Sequence, residues 1–176
     1  FLQLDESPVR EYRVEDHVPL YGEQEVWRYP KAGEDNPGVR VGCVNAAGGD
    51  VTWMDLSAWA EQDRLVMRAG WPPEGGQVWM QVANRIQTRL DLVFGDSASG
   101  ATRVVLTEQS KSWVQPSPIH WLRDGSFLWE SPRTGHNHLY RYRQDGQQVG
   151  ALTAGDFQIL GVAGLDEDAG ALYALT

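Results

Sequence analysis

The sequence predicts an all-β chain, a partial β-propeller of about three to four blades with four antiparallel strands each. Three observations predict it: short runs that alternate apolar and polar residues, glycine-bearing turns between those runs, and a loose repeat of 46 residues in the turns. An irregular β-sandwich is the other all-β architecture such turns allow. The repeat favours the propeller, because two separate families of turns keep the period.

The strands come first. Phe1-Leu-Gln-Leu4 and Val39-Arg-Val-Gly-Cys-Val-Asn45 open the series, followed by Gln77–Ala83, Leu90–Phe94, Thr102–Leu106, His138–Tyr142 and a closing run over Ala171–Thr176. Eight Trp suit half-buried pleated surfaces. Helical periodicity is confined to Leu56–Asp63, a segment too short to stand as a helix by itself.

The turns come next. Asn45–Gly49, Asp96–Gly100 and Gln144–Gly146 form one family. Pro73–Gly76, Arg123–Gly125 and Asp166–Gly170 form a second, half a repeat away. Asx followed by Gly supplies the positive φ a tight hairpin needs. Gly100 and Gly146 are 46 residues apart, as are Leu106-Thr107 and Leu152-Thr153; Gly125 and Gly170 are 45 apart, and Gly49 and Gly100 are 51. About four strands fit in each interval, which is one propeller blade.

Charge and composition bound the function. The net charge of −9 argues against a nucleic-acid partner, since an acidic chain gains nothing from counterion release on a phosphate backbone. Acidity serves solubility, or forms a field that attracts cationic groups such as peptide N-termini. No apolar run approaches the roughly 18 residues of a membrane-spanning helix. The single Cys43 excludes an internal disulfide and is expected to pack as a small buried hydrophobe. Both ends read as strand interiors, so residues 1–176 are expected to belong to a single propeller domain cut from a longer polypeptide, with two apolar sheet faces left open to self-association.

The chain offers little chemistry. Gly95-Asp-Ser-Ala-Ser99 comes nearest to a nucleophile elbow, but it lacks the final Gly and sits in a hairpin turn. His136 and His138, with His120 and Asp124, invite a metal hypothesis, yet no helical H-E-x-x-H and no set of cysteine ligands accompany them. Asp5-Glu6, Glu15-Asp16, Glu23 with Glu25, Glu34-Asp35 and Asp166–Asp168 neighbour turns and read as solvated carboxylates. In Tyr140–Arg143 the tyrosines are expected to pack and the arginines to face solvent. No catalytic, substrate-binding, cofactor-binding or metal residue is assigned, and no cofactor is expected.

Several strings are more specific. Asp5-Glu-Ser-Pro-Val9, then Tyr29-Pro-Lys-Ala-Gly33 with Asn36-Pro37, then Asp124–Ser131 with Gly135 and His138-Leu-Tyr140, ending in Leu152-Thr153-Ala-Gly155, resemble in order the propeller of the dipeptidyl peptidase IV family, its bacterial members in particular. The resemblance implies a serine exopeptidase with an eight-bladed N-terminal propeller and a C-terminal α/β-hydrolase domain. Such an enzyme releases N-terminal dipeptides with Pro or Ala in second position. Its Ser-Asp-His triad would lie in the hydrolase domain, beyond Thr176. Its pair of amine-gripping glutamates would lie before Phe1; Glu23 and Glu25 follow the Asp5–Val9 motif and are not that pair. Trp113-Val114 leads into Gln115-Pro-Ser-Pro118, without the Phe-Arg that relatives carry near the substrate pocket. Residues Val9 to Arg28 occupy the place of a family arm used in homodimer formation, or form a plain blade connection. The implied partners are peptide substrates, the enzyme's own hydrolase domain and a second copy; the implied location, if the parent is bacterial, is periplasmic or the cell envelope. A non-enzymatic propeller that binds partners on its ring face is the alternative, since fold alone does not fix function.

Overall fold

A computed structural model describes residues 1–176, apart from the side chains of residues 61 and 62. It contains fifteen strands and one short 3₁₀ helix, Ser57–Gln62, in place of the sequence's helical candidate. Two sheets are complete four-strand meanders. The first runs β6 (Leu65–Gly70), β7 (Gln77–Ala83), β8 (Arg89–Asp96), β9 (Thr102–Gln109). The second runs β10 (His120–Trp121), β11 (Phe127–Ser131), β12 (His138–Tyr142), β13 (Gln148–Ala151).

These are flanked by partial sheets. On one side β1 (Leu2–Asp5), β4 (Gly38–Cys43) and β5 (Thr52–Trp53) pair in that order. On the other, β14 (Gly161–Asp166) pairs β15 (Ala171–Leu175) alone. Between β1 and β4 the chain leaves the sheet as a separate hairpin, β2 (Glu11–Asp16) and β3 (Glu23–Arg28), in register from Glu11 opposite Arg28 to Asp16 opposite Glu23. The two predicted turn families fall where they should: Asp96–Gly100 and Gln144–Gly146 join third to fourth strands, while Pro73–Gly76 and Arg123–Gly125 join first to second.

Three apolar cores lie between consecutive sheets. Val41, Met54 and Trp59 pack against Val78, Met80, Val82 and Val93. Leu90, Leu92 and Phe94 leave the other face of the same sheet and meet Phe127, Trp129, Tyr140 and Tyr142. Leu128 and Leu139 then close on Ile159, with Val162, Leu165 and Leu172 at the margin. Strand β8 is therefore buried from Leu90 through Gly95 rather than on one side only. Each fully buried Leu or Phe contributes about 1.5–3 kcal/mol, so these stacked layers dominate the stability.

The single-faced alternation expected of the central strands gives way here to burial on both faces, because each blade has a neighbour on either side. The expected packing of Tyr140 and Tyr142 is observed: both are buried, and Arg143 is exposed. Arg141 is only half-buried, held by Asp124 and Ser126. Cys43 corrects the expectation made for it. It is half-buried at the edge of the first core, and partial burial pushes its thiol up. The flanking sheets leave apolar side chains open, Leu2 and Leu4 on one and Leu160, Tyr173 and Leu175 at the other end.

Candidate functional site

Antiparallel meanders gather alternate connections at one end. The β7–β8 hairpin and the long β9–β10 loop therefore share an end, as do the β11–β12 hairpin and the β13–β14 loop. Backbone hydrogen bonds tie each pair: Val114 N–H donates to Gln87 O (2.7 Å) and Ile159 N–H to Asn137 O (2.7 Å). Trp113 is further fixed by its indole N–H on Gln87 Oε1 (2.8 Å). Gln81, fully buried, donates to the Ser117 carbonyl (2.6 Å) and so holds the β9–β10 loop down onto the sheet.

Between these loops opens a cleft of about 670 Å³. Trp113 and Ile159 give it apolar walls, and Arg68, His120, Glu130 and Asn137 give it polar ones. Asn137 Nδ2 donates to Glu130 Oε2 (2.9 Å) and to the Ile159 carbonyl (2.8 Å), which fixes the carboxylate in place. Burial pushes the His120 imidazole below its ordinary pKa of 6.5, against the smaller upward pull of Glu130, so the ring is neutral at pH 7. Its Nε2 is buried with no hydrogen-bond partner among the described residues.

A second carboxylate at the cleft is fully occupied. Glu108 receives Trp129 Nε1 (3.2 Å), Ser131 Oγ (2.9 Å) and the Arg133 guanidinium (3.2 Å). It spans from β9 to β11 and clasps one blade to the next. At the preceding interface Asp91 acts in the same way, receiving Trp59 Nε1 (2.8 Å), Thr107 Oγ1 (2.6 Å) and Arg89 Nε (3.1 Å).

The sequence's candidates are dispersed. His138 is buried, with Nδ1 on the Thr153 hydroxyl (3.1 Å) and Nε2 on the Gly155 carbonyl (3.2 Å). Donation from Nε2 leaves Nδ1 to accept the threonine O–H, and the pair serves to seat the β13–β14 loop. His136 lies outside β12, its ring 6.5 Å from that of His138. His120 is in the cleft, and Asp124 is at the opposite end, bonded to Ser126 and Arg141. Among the described residues no group of three or more His, Cys, Asp or Glu converges as a metal site. Ser97 and Ser99 bond to the Gly76 carbonyl and the Asp96 carboxylate within their hairpin turn. Glu23 and Glu25 are exposed on the β2–β3 hairpin.

That hairpin is exposed along both strands, and its tip carries Val18, Leu20 and Tyr21 at 90% exposure or more. The cleft residues Glu130 and Asn137 were missed by sequence reasoning. They are brought together across a hairpin turn, and no spacing rule marks such a pair.

Comparison with known proteins agrees with this architecture. The chain is 28% identical over 186 aligned residues to a protein of Coccidioides posadasii named as a probable dipeptidyl-aminopeptidase B, covering 91% of this chain and 20% of that protein. It is 25% identical to a probable dipeptidyl peptidase 4 of Aspergillus clavatus, over all of this chain and 25% of the relative. Among solved structures, a Bacteroides ovatus protein assigned as a dipeptidyl aminopeptidase IV superposes with a TM-score of 0.86 at 25% identity, over 98% of this chain and 27% of the other. Porphyromonas gingivalis dipeptidyl peptidase 4 gives 0.84 at 25% identity, over 94% and 24%. The chain thus spans about a quarter of the length of these relatives, or less. A family model described as the dipeptidyl peptidase IV N-terminal region matches residues 1–174, and the chain belongs to that family.

Proposed function

We propose that residues 1–176 belong to the propeller domain of a serine exopeptidase that releases N-terminal dipeptides with Pro or Ala in second position. The observation that carries this is the family match over residues 1–174. In this reading the chain is scaffold and wall. The loop-bearing end with the cleft fronts the chamber where a peptide lies, and a separate hydrolase domain supplies nucleophile, base and oxyanion donors. The described side chains support the division of labour: the one His–hydroxyl pair hydrogen-bonded among them, His138 with Thr153, is committed to seating a loop.

The same reading makes the enzyme a homodimer, with the Val9–Arg28 excursion as its arm. Apolar side chains at a fully exposed hairpin tip support that role, since a lone hairpin has no core to hide them in.

The test is an assay on Ala-Pro and Gly-Pro chromogenic amides. The full-length polypeptide carrying these blades is expected to release the dipeptides, and the 176-residue chain alone to release none. No cleavage by the full-length polypeptide, or equal cleavage by the chain alone, overturns the reading.

A further inference from the structure

We infer that Glu130 forms a binding site for a basic side chain, a guanidinium or ammonium group, on a peptide lying in the cleft. That the carrier is a peptide rests on the reading above; the cation site itself rests on the side chains.

Glu130 is the unmatched carboxylate of its neighbourhood. It is half-buried in the wall of the cleft, and its only hydrogen bond among the described residues is the neutral amide of Asn137. No Lys or Arg among them stands within ion-pair distance of it, whereas Asp91 has Arg89 and Glu108 has Arg133. A carboxylate that gives up hydration without a counter-charge is destabilised, and a cation delivered from outside offsets that penalty. His120 is a poor source of that charge, because burial lowers its affinity for a proton despite the neighbouring carboxylate. Its unpartnered Nε2 is a second polar atom on the same wall.

The rest of the cleft suits the stem of such a side chain. Trp113 is 55% exposed at the rim with its indole pinned, and Ile159 and Pro132 add apolar surface. Methylenes of Lys or Arg lie on such walls, and an indole face attracts the charged head. Asn137 holds the carboxylate in one position, so little ordering is needed on binding. Arg68, exposed and unpaired among the described residues, lines the same cleft. It disfavours a second cation and offers N–H groups to peptide carbonyls, which confines the basic group to the Glu130 side.

The experiment titrates the full-length polypeptide carrying these blades with N-acetyl-arginine amide and N-acetyl-citrulline amide by calorimetry. Acetylation removes the α-ammonium, and citrulline keeps the shape of arginine without its charge. The arginine derivative is expected to bind about tenfold more tightly, the range of one charge-assisted hydrogen bond. Glu130→Gln should erase the difference, while Glu167→Gln at the opposite end of the blades should keep it. Equal binding of the two ligands by the unmodified polypeptide, no binding of either, or a preference that survives Glu130→Gln overturns the site. Loss of dipeptide release by the full-length polypeptide would sink only the peptidase reading, and the arginine preference would stand.

Discussion

Gly146 lies against the main-chain carbonyl of Val105 in the preceding blade: a Cβ built on the glycine falls well inside 3.0 Å of that oxygen. Gly100 stands in the same relation to the carbonyl of Trp53, one blade earlier. Both glycines have positive φ, 92° and 77°. The 46-residue repeat is thus the trace of blade stacking. The hairpin from third to fourth strand must clear the outer strand of its neighbour, and only a residue without a side chain clears it at this φ.

Gly146→Ala is therefore expected to destabilise the chain by about 2–4 kcal/mol, combining the left-handed penalty with a backbone clash. Gly135 provides the control, with φ of 105° and nothing within 4 Å of its built Cβ. Gly135→Ala should cost about 1–2 kcal/mol, the conformational contribution alone. Urea unfolding of the two variants separates the contributions. Equal losses would mean that the blade contact carries no strain.

Glu108→Ala removes the acceptor for Trp129, Ser131 and Arg133 and leaves the guanidinium without its carboxylate. A loss of about 2–4 kcal/mol is expected, because the buried Trp129 N–H and Ser131 O–H lose their acceptor while the partly exposed guanidinium falls back on water. Glu108→Gln keeps the shape and one acceptor, and should lose less. Chemical denaturation reads both. A loss under about 1 kcal/mol for the alanine variant would show that the clasp between blades is not a stabilising element.

The arm tip predicts a separable effect on assembly. Replacing Leu20 and Tyr21 by Asp should convert a dimer to a monomer in light scattering on the full-length polypeptide. The unfolding midpoint should move by no more than about 2 °C, because these side chains touch no core. An unchanged mass would remove the arm from the dimer contact.

His120 predicts a pH dependence with a defined sign. Its folded pKa lies below the ordinary 6.5, so the unfolded chain binds the proton more tightly. Stability from this residue is complete above about pH 7 and is lost as pH falls through 6.5 toward the folded value. Urea midpoints of wild type and His120→Gln, compared from about pH 7.5 to about pH 5, should converge as the pH drops. Parallel curves would show that His120 is not the titrating group.

Much of this protein was legible in the residue order. Strands Gln77–Ala83 and His138–Tyr142 follow from their side-chain types, and the turns follow from Asp-Gly and Gly-Gly pairs that permit positive φ. Those are local properties, set by sterics within a few residues. The repeat of turns then gave blade length, and the ordered motifs gave the family. The excursion between β1 and β4 was legible as an interval, Val9 to Arg28, though its hairpin register was not.

Tertiary structure alone decided what the repeats bury and what they leave open. Leu92 and Val93 are adjacent, yet they enter different cores, because β8 stands between two other sheets. Asp91 and Glu108 read as ordinary polar residues in the sequence, and only stacking aims Trp59 and Trp129 at them. Glu130 and Asn137 meet because a hairpin folds one over the other and the Ile159 loop closes beside them. Local chemistry determined the strands, turns and family of this chain. The cleft and its unmatched carboxylate depend on which distant surfaces the stacked blades bring face to face.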